Sequence, residues 1–158
     1  MTSYEIQVQP LASIPSLVLD TNVVLDWVAF DDARVRPIVD AIESGALRAV
    51  SNTICLQELR RALGYVQVKL DAAAQILAFE RYVAHASLLH ISETAAAPDL
   101  PRCEDADDQK FLELAWHARA SHLVTRDKAL LKLARRVSDR FTVLAPDAFV
   151  HWMAGQEP

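Results

Sequence analysis

One pattern limits the fold more than any other. Short, largely apolar runs at residues 17–19, 47–50, 88–91, 122–125 and 141–144 alternate with stretches of helical periodicity. Strands that carry apolar residues on both faces belong to a sheet covered by helices on both sides. Strands separated by helices pair in parallel. In the first helical stretch, Val35, Ile38, Val39 and Ile42 recur at i, i+3, i+4 and i+7, and Gly45 stops the pattern. Further helices are expected over residues 53–65, with Asn52 or Thr53 as the cap, over 71–84, capped by Asp71, and over 107–120 and 127–137, with Pro146 opening a short closing helix. The expected class is α/β with a mostly parallel sheet. A chain of 158 residues suits one domain. We place it at residues 16–153, after a proline-bearing leader over 1–15 and before a tail over 154–158. Residues 92–105, with Pro98 and Pro101, read as an irregular connection.

In such sheets ligands gather beyond the carboxyl ends of the strands. Asp20 directly follows Leu17-Val18-Leu19, and Asp127 closes Thr125-Arg126-Asp127 after His122-Leu123-Val124. Asp108 shares a helix face with Phe111, Leu112 and Ala115, at i+3, i+4 and i+7, so its carboxylate leads a buried face. Asp105 and Asp107 stand beside it. Capping accounts for one or two acids at a helix start, but not for this many together with Glu104. Glu58 has Ile54, Ala62 and Tyr65 on its own face and is expected on a partly buried side, where a carboxylate requires a cation. Its nearest local partner is Arg61 at i+3, a pairing worth only ~0.2–0.5 kcal/mol on a helix surface.

Four converging carboxylates repel. At ~4 Å and an effective dielectric near 20, one like-charge pair costs on the order of 4 kcal/mol. Such a cluster persists with protons or with a hard cation, and an all-oxygen donor set favours Mg²⁺ or Mn²⁺ over zinc. The five histidines show no paired ligand spacing and read as packing or surface groups. Cys55 and Cys103 read as reduced thiols, at least one of them packed in the core. Three glycines in the whole chain exclude a Gly-rich phosphate loop.

Four segments in order then resemble the PIN-domain family: Val18-Leu19-Asp20-Thr21-Asn22, Gln57-Glu58-Leu59, the stretch from Asp105-Ala106-Asp107-Asp108 through Phe111-Leu112 to Ala115, and Leu123-Val124-Thr125-Arg126-Asp127. The third is similar to the version found in a bacterial branch described as toxins of toxin–antitoxin pairs, the VapC-like ribonucleases. The resemblance implies a three-layer α/β/α sandwich around a parallel five-stranded sheet. It also implies a ribonuclease dependent on Mg²⁺ or Mn²⁺. By it, Asp20, Glu58, Asp108 and Asp127 form the acidic cluster, and Asn22 and Thr125 support the ligands. Asp105 competes for the third position, and the buried-face pattern selects Asp108. Arg126 stands where the family often has a small residue, so it either crowds the site or holds a phosphate. An antitoxin protein and a homodimer are the partners so implied.

A net charge of −5 is a poor match to a protein held on nucleic acid by bulk charge, so substrate cations have to be local. Arg60 and Arg61 follow Glu58, and Arg126, Lys128, Lys132, Arg135 and Arg136 cluster on and before one helix. Single-stranded RNA is the expected substrate, since an unpaired strand needs no melting. A dehalogenase-like phosphatase would need a second acid at Asn22, and a phospho-acceptor receiver would need an acidic pair at the first strand; neither is present. A catalytically silent PIN fold acting as a binding module is the remaining alternative. No signal sequence or membrane span is legible, so the expected location is the cytoplasm.

Overall fold

The computed structural model describes residues 14–90 and 99–155. Most of the expected leader, Ile91, the first part of the 92–105 connection and the last residues of the expected tail lie outside them. Five strands, β1 (Ser16–Leu19), β2 (Arg48–Ser51), β3 (Ala86–Leu88), β4 (His122–Val124) and β5 (Thr142–Leu144), form one sheet in the order β3-β2-β1-β4-β5. Every pairing is parallel. Seven α-helices flank it among the described residues: α1 (Thr21–Val28), α2 (Arg36–Glu43), α3 (Thr53–Leu63), α4 (Ala72–His85), α5 (Gln109–His117), α6 (Lys128–Leu131) and α7 (Pro146–Gly155). This is the three-layer α/β/α sandwich.

Alternation along the strands divides the core in two. Leu17, Leu19, Ala49 and Val124 face the side packed by α1, α2, α3 and α7. Val18, Val50, Leu123 and Val143 face the opposite side, where Phe111, Leu112, Leu114 and Ala115 of α5 pack with Leu130 and Val137. Side chains of successive strand residues point to opposite faces, so an uninterrupted apolar run is what a doubly covered strand requires. β1 lies at the centre. From it the chain builds β2 and β3 to one side and β4 and β5 to the other, which makes the β1–β4 boundary the switch point where a crevice opens.

Several expected boundaries move. Helix α1 carries no amphipathic signal, because Thr21 and every residue from Val23 to Val28 are buried, and the run reads equally well as sheet. α2 ends as expected: Gly45 takes φ +86°, a left-handed conformation that glycine adopts without a Cβ clash. Asn52, not Thr53, caps α3 by accepting the Cys55 amide at 2.9 Å, and Asp71 caps α4 by accepting the Ala74 amide at 2.8 Å.

The strand expected at 88–91 begins at Ala86, directly off the end of α4, because pairing with Ala49, Val50 and Ser51 sets its register. Its residues are half-buried or exposed, so apolar content gave the wrong start. The helix expected at 107–120 begins with a 3₁₀ turn, Ala106–Asp108, and ends before Arg119, whose φ of +53° closes it. The helix expected at 127–137 is α6 followed by a separate 3₁₀ turn at Arg135–Val137. Leu130, Leu133 and Val137 are buried in both pieces, so the apolar spacing of one helix survives a broken one. No described helix is long and apolar enough to cross a membrane.

Candidate metal centre

Asp20 is the first residue beyond β1, and its side chain caps α1. Oδ1 accepts the Asn22 amide at 2.8 Å, and Oδ2 accepts the Thr125 hydroxyl at 2.5 Å. Thr125 is the first residue beyond β4 and is fully buried. Its Oγ1 also accepts the Asp127 amide at 2.9 Å, so one hydroxyl fixes two acids on adjacent strands. Asp20 is only 4 % exposed. Burial raises its pKa from the ordinary value, the bonds from Thr125 and Asn22 oppose that rise, and the charges of Asp127 and Glu58 add to it.

Asp108 ends the 3₁₀ turn before α5 and makes no capping hydrogen bond, so its carboxylate is free to face the cleft. Asp105 takes the capping role and accepts the Asp107 amide at 3.0 Å. Asp108 is pushed up to about 7, first by burial, then by the facing Asp127 carboxyl and by the charge of Asp20. Asp127 begins α6 without capping it. Its Oδ2 is buried and receives no hydrogen bond from any described N–H or hydroxyl.

Glu58, on α3, is held from two sides. Thr21 donates its hydroxyl to Oε2 at 2.5 Å, and Lys110 pairs with Oε1. The expected local partner, Arg61, makes no ion pair with it among the described contacts; Lys110, the second residue of α5, takes that place. Lys110 also donates to the Asp107 carbonyl, which joins α3 to the 3₁₀ turn that carries Asp108.

These groups share one cleft of about 700 Å³. Its lining includes Asp20, Asn22, Glu58, Asp108, Lys110 and Asp127, together with Asp105, Asp107, Arg61, Arg126 and Lys128. The exposed Asn22 side chain lies at the rim. The cations divide. Arg61 and Lys128 line the cleft. Arg126 also lines it, but its guanidinium pairs at 2.9 Å with Asp26, a buried carboxylate on α1. Burial raises the pKa of Asp26 and Arg126 opposes that rise, so the pair relieves an otherwise isolated charge. Arg60 lies outside the cleft, with its guanidinium 4.4 Å from the centre of the Phe79 ring. Lys132 pairs with Glu104 at 3.1 Å. Arg135 and Arg136 are exposed on their 3₁₀ turn, away from the cleft lining.

Three features were missed in the sequence. Lys110 carried no signal beyond its place after the acidic run. Gln109 is buried; its Oε1 accepts the Cys103 amide at 2.7 Å and its Nε2 donates to the Pro101 carbonyl at 3.1 Å, which pins the incoming segment to α5. Both cysteines are free and buried, as expected. Cys103, however, is not confined to apolar neighbours. Its Sγ and carboxylate oxygens of Asp108 and Asp127 all lie within 4.8 Å of one another. Burial and those carboxylates push the Cys103 thiol up from its ordinary range. Cys55, in the first turn of α3, is pushed up to about 12 by burial. His122 packs on Phe149 and Trp152, with burial lowering its pKa, and it plays no part in the cleft.

Comparison with known proteins gives one family match: the family described as PIN domain matches residues 16–129, from the start of β1 into α6. No curated protein matches the chain.

Proposed function

The chain belongs to the PIN-domain family, and from that premise we propose that it is an endoribonuclease that hydrolyses phosphodiester bonds in single-stranded RNA with Mg²⁺ or Mn²⁺. PIN domains are generally nucleases that use divalent metals. The observation that carries the reading is the meeting of Asp20, Glu58, Asp108 and Asp127 in one cleft, with Asp127 Oδ2 buried and lacking a donor. A buried carboxylate oxygen without a donor is costly, and a divalent cation satisfies it. We assign the ion to Asp108 and Asp127, whose carboxylate oxygens lie within 4.8 Å of each other, with Asp20 and Glu58 lining the same cleft beside them. Bound there, Mg²⁺ or Mn²⁺ supplies a lowered pKa for water and neutralises charge that develops on the phosphate.

The remaining work falls to the chain. The Thr125 hydroxyl keeps Asp20 oriented and favours its ionised form. Thr21 and Lys110 hold Glu58 toward the cleft, where it orients a water. Lys110, Arg61 and Lys128 give the lining positive groups for the phosphates of an incoming strand, although the chain is acidic overall. The likeness of the Asp105–Ala115 stretch to the toxin branch supports a role as the toxin of a toxin–antitoxin pair, with an antitoxin protein and a second copy of the chain as partners. A small reading frame beside the gene whose product binds and silences the protein is the test of that role.

The purified protein is expected to cleave a single-stranded RNA oligonucleotide in Mg²⁺ or Mn²⁺ and to stop in EDTA. Asp20→Asn lowers the rate by orders of magnitude with the circular dichroism spectrum unchanged. Cleavage that resists EDTA, or full activity in the variant, overturns the assignment. Equal cleavage of a DNA strand of the same sequence reduces it to nuclease in general.

A further inference from the structure

The donors around the cleft are not all oxygen. Cys103 Sγ stands with Asp108 and Asp127 so that the three donor atoms lie within 4.8 Å of one another. A tetrahedral ion with a metal–sulfur bond of about 2.3 Å and metal–oxygen bonds of about 2.0–2.2 Å holds its donors about 3.3–3.7 Å apart, so a modest contraction brings this group onto one ion. The thiol is also fixed there. Gln109, buried at the start of α5, binds the Cys103 amide and the Pro101 carbonyl, so the segment carrying the sulfur is tied to the helix that follows Asp108. Asp127 contributes the buried oxygen that receives no hydrogen bond among the described residues.

We propose that Cys103 is a ligand of the divalent ion held by Asp108 and Asp127, and that its sulfur biases the centre toward thiophilic ions such as Co²⁺ and Zn²⁺ over Mg²⁺. On binding, the S–H bond breaks, the sulfur donates its electron pair to the ion, and the proton passes to solvent; no oxidation state changes. Thiolate donors select borderline and soft ions where carboxylates alone select hard ones. The proposal rests on the metal-centre reading above, and the test separates the two.

The metal-free full-length protein is titrated with Co²⁺ and followed by absorbance, with binding measured independently by calorimetry. A sulfur-to-cobalt charge-transfer band in the near ultraviolet is expected. It persists in Cys55→Ser and vanishes in Cys103→Ser. Zn²⁺ affinity in Cys103→Ser falls by at least the ~10-fold that loss of an outer-shell partner costs, while Mg²⁺ affinity changes little. If Co²⁺ binds with its visible bands but without the charge-transfer band, the sulfur is not a ligand, the proposal fails, and the metal centre stands. If calorimetry detects no Co²⁺, Mg²⁺ or Mn²⁺ in the parent protein, the metal-centre reading fails and this proposal fails with it. A band that survives in Cys103→Ser but vanishes in Cys55→Ser assigns the sulfur elsewhere and also overturns it. The parent spectrum and the Cys55→Ser control keep the test decisive should Cys103→Ser fold poorly.

Discussion

Thr125 donates its hydroxyl to Asp20 Oδ2 at 2.5 Å, across the junction of two neighbouring strands and 105 residues of chain. The Thr125 hydroxyl oxygen in turn accepts the Asp127 amide. Thr125→Val preserves shape and removes both bonds. It leaves a buried carboxylate oxygen and an amide without partners, so the metal-free protein loses about 1–3 kcal/mol per unsatisfied group. Urea unfolding measures that loss. Mn²⁺ affinity by calorimetry falls ~10–100-fold, as expected when the group that orients a ligand is removed. Unchanged affinity would mean that Asp20 is oriented by the Asn22 amide alone.

The acids also give the metal-free protein a pH signature. Asp108 sits at about 7 when folded, against an ordinary 3.8, with burial the main cause. Between those values the folded chain holds a proton that the unfolded chain has released, so stability falls as pH rises through that window. The contribution is complete below the unfolded pKa and gone above about 7. Buried Asp20 shifts in the same direction. In EDTA, Asp108 therefore lowers the melting temperature between pH 5 and pH 8, against a rise from His122, whose buried ring has a lowered pKa, and Asp108→Asn removes the Asp108 part. At pH 8, Mn²⁺ at ~100 times its dissociation constant adds about 2.7 kcal/mol, a rise of roughly 5–10 °C for a domain of this size. The same change of melting temperature from pH 5 to pH 8 in the parent and in Asp108→Asn would contradict the raised value.

Asp105 and Asp108 are separated by role. Asp105 caps the 3₁₀ turn, and asparagine caps about as well, so Asp105→Asn retains most of the cleavage rate. Asp108 caps nothing, and Asp108→Asn loses cleavage by orders of magnitude. Single-turnover rates of the two variants, measured side by side, decide the matter. If Asp105→Asn were the more damaged, the third acid of the centre would be Asp105.

The cations of the cleft differ from those outside it. Arg61→Ala and Lys128→Ala each flatten the dependence of binding on salt by about 0.7 in log–log slope for a single strand. Arg135→Ala and Arg136→Ala leave the slope unchanged, because those groups stand away from the lining. Fluorescence anisotropy with a single-stranded RNA in EDTA, where cleavage stops, reads the slope. The reverse pattern would move the substrate path onto the 3₁₀ turn that carries Arg135.

What the sequence disclosed was local. Asp20 and Asp127 follow apolar triplets, so their place at strand ends could be read directly. Asp108 was marked by Phe111, Leu112 and Ala115, whose spacing shows which way the helix faces. What it concealed was of two kinds. Helix α1 has no polar face, and without contrast between faces there is no period to detect. The partners were distant: Lys110 for Glu58, Arg126 for Asp26 and the Cys103 sulfur for Asp108 and Asp127. Pairings across the fold follow from the order of strands, and hydrophobic periodicity does not encode that order. The broken helix after Asp127 belongs to neither kind: the buried positions of α6 and its 3₁₀ turn keep the spacing of one continuous helix.

The position of β4 beside β1 has a consequence during synthesis. Asp20 leaves the ribosome early, but its partner Thr125 is 105 residues behind it. At about 5–20 residues per second, that gap lasts roughly 5–20 s. Throughout it, the nascent chain carries the first acid without the fourth and without the strand that orients them. Until β4 docks, the acids of the cleft stand apart, so the site is assembled late on the way to the folded chain.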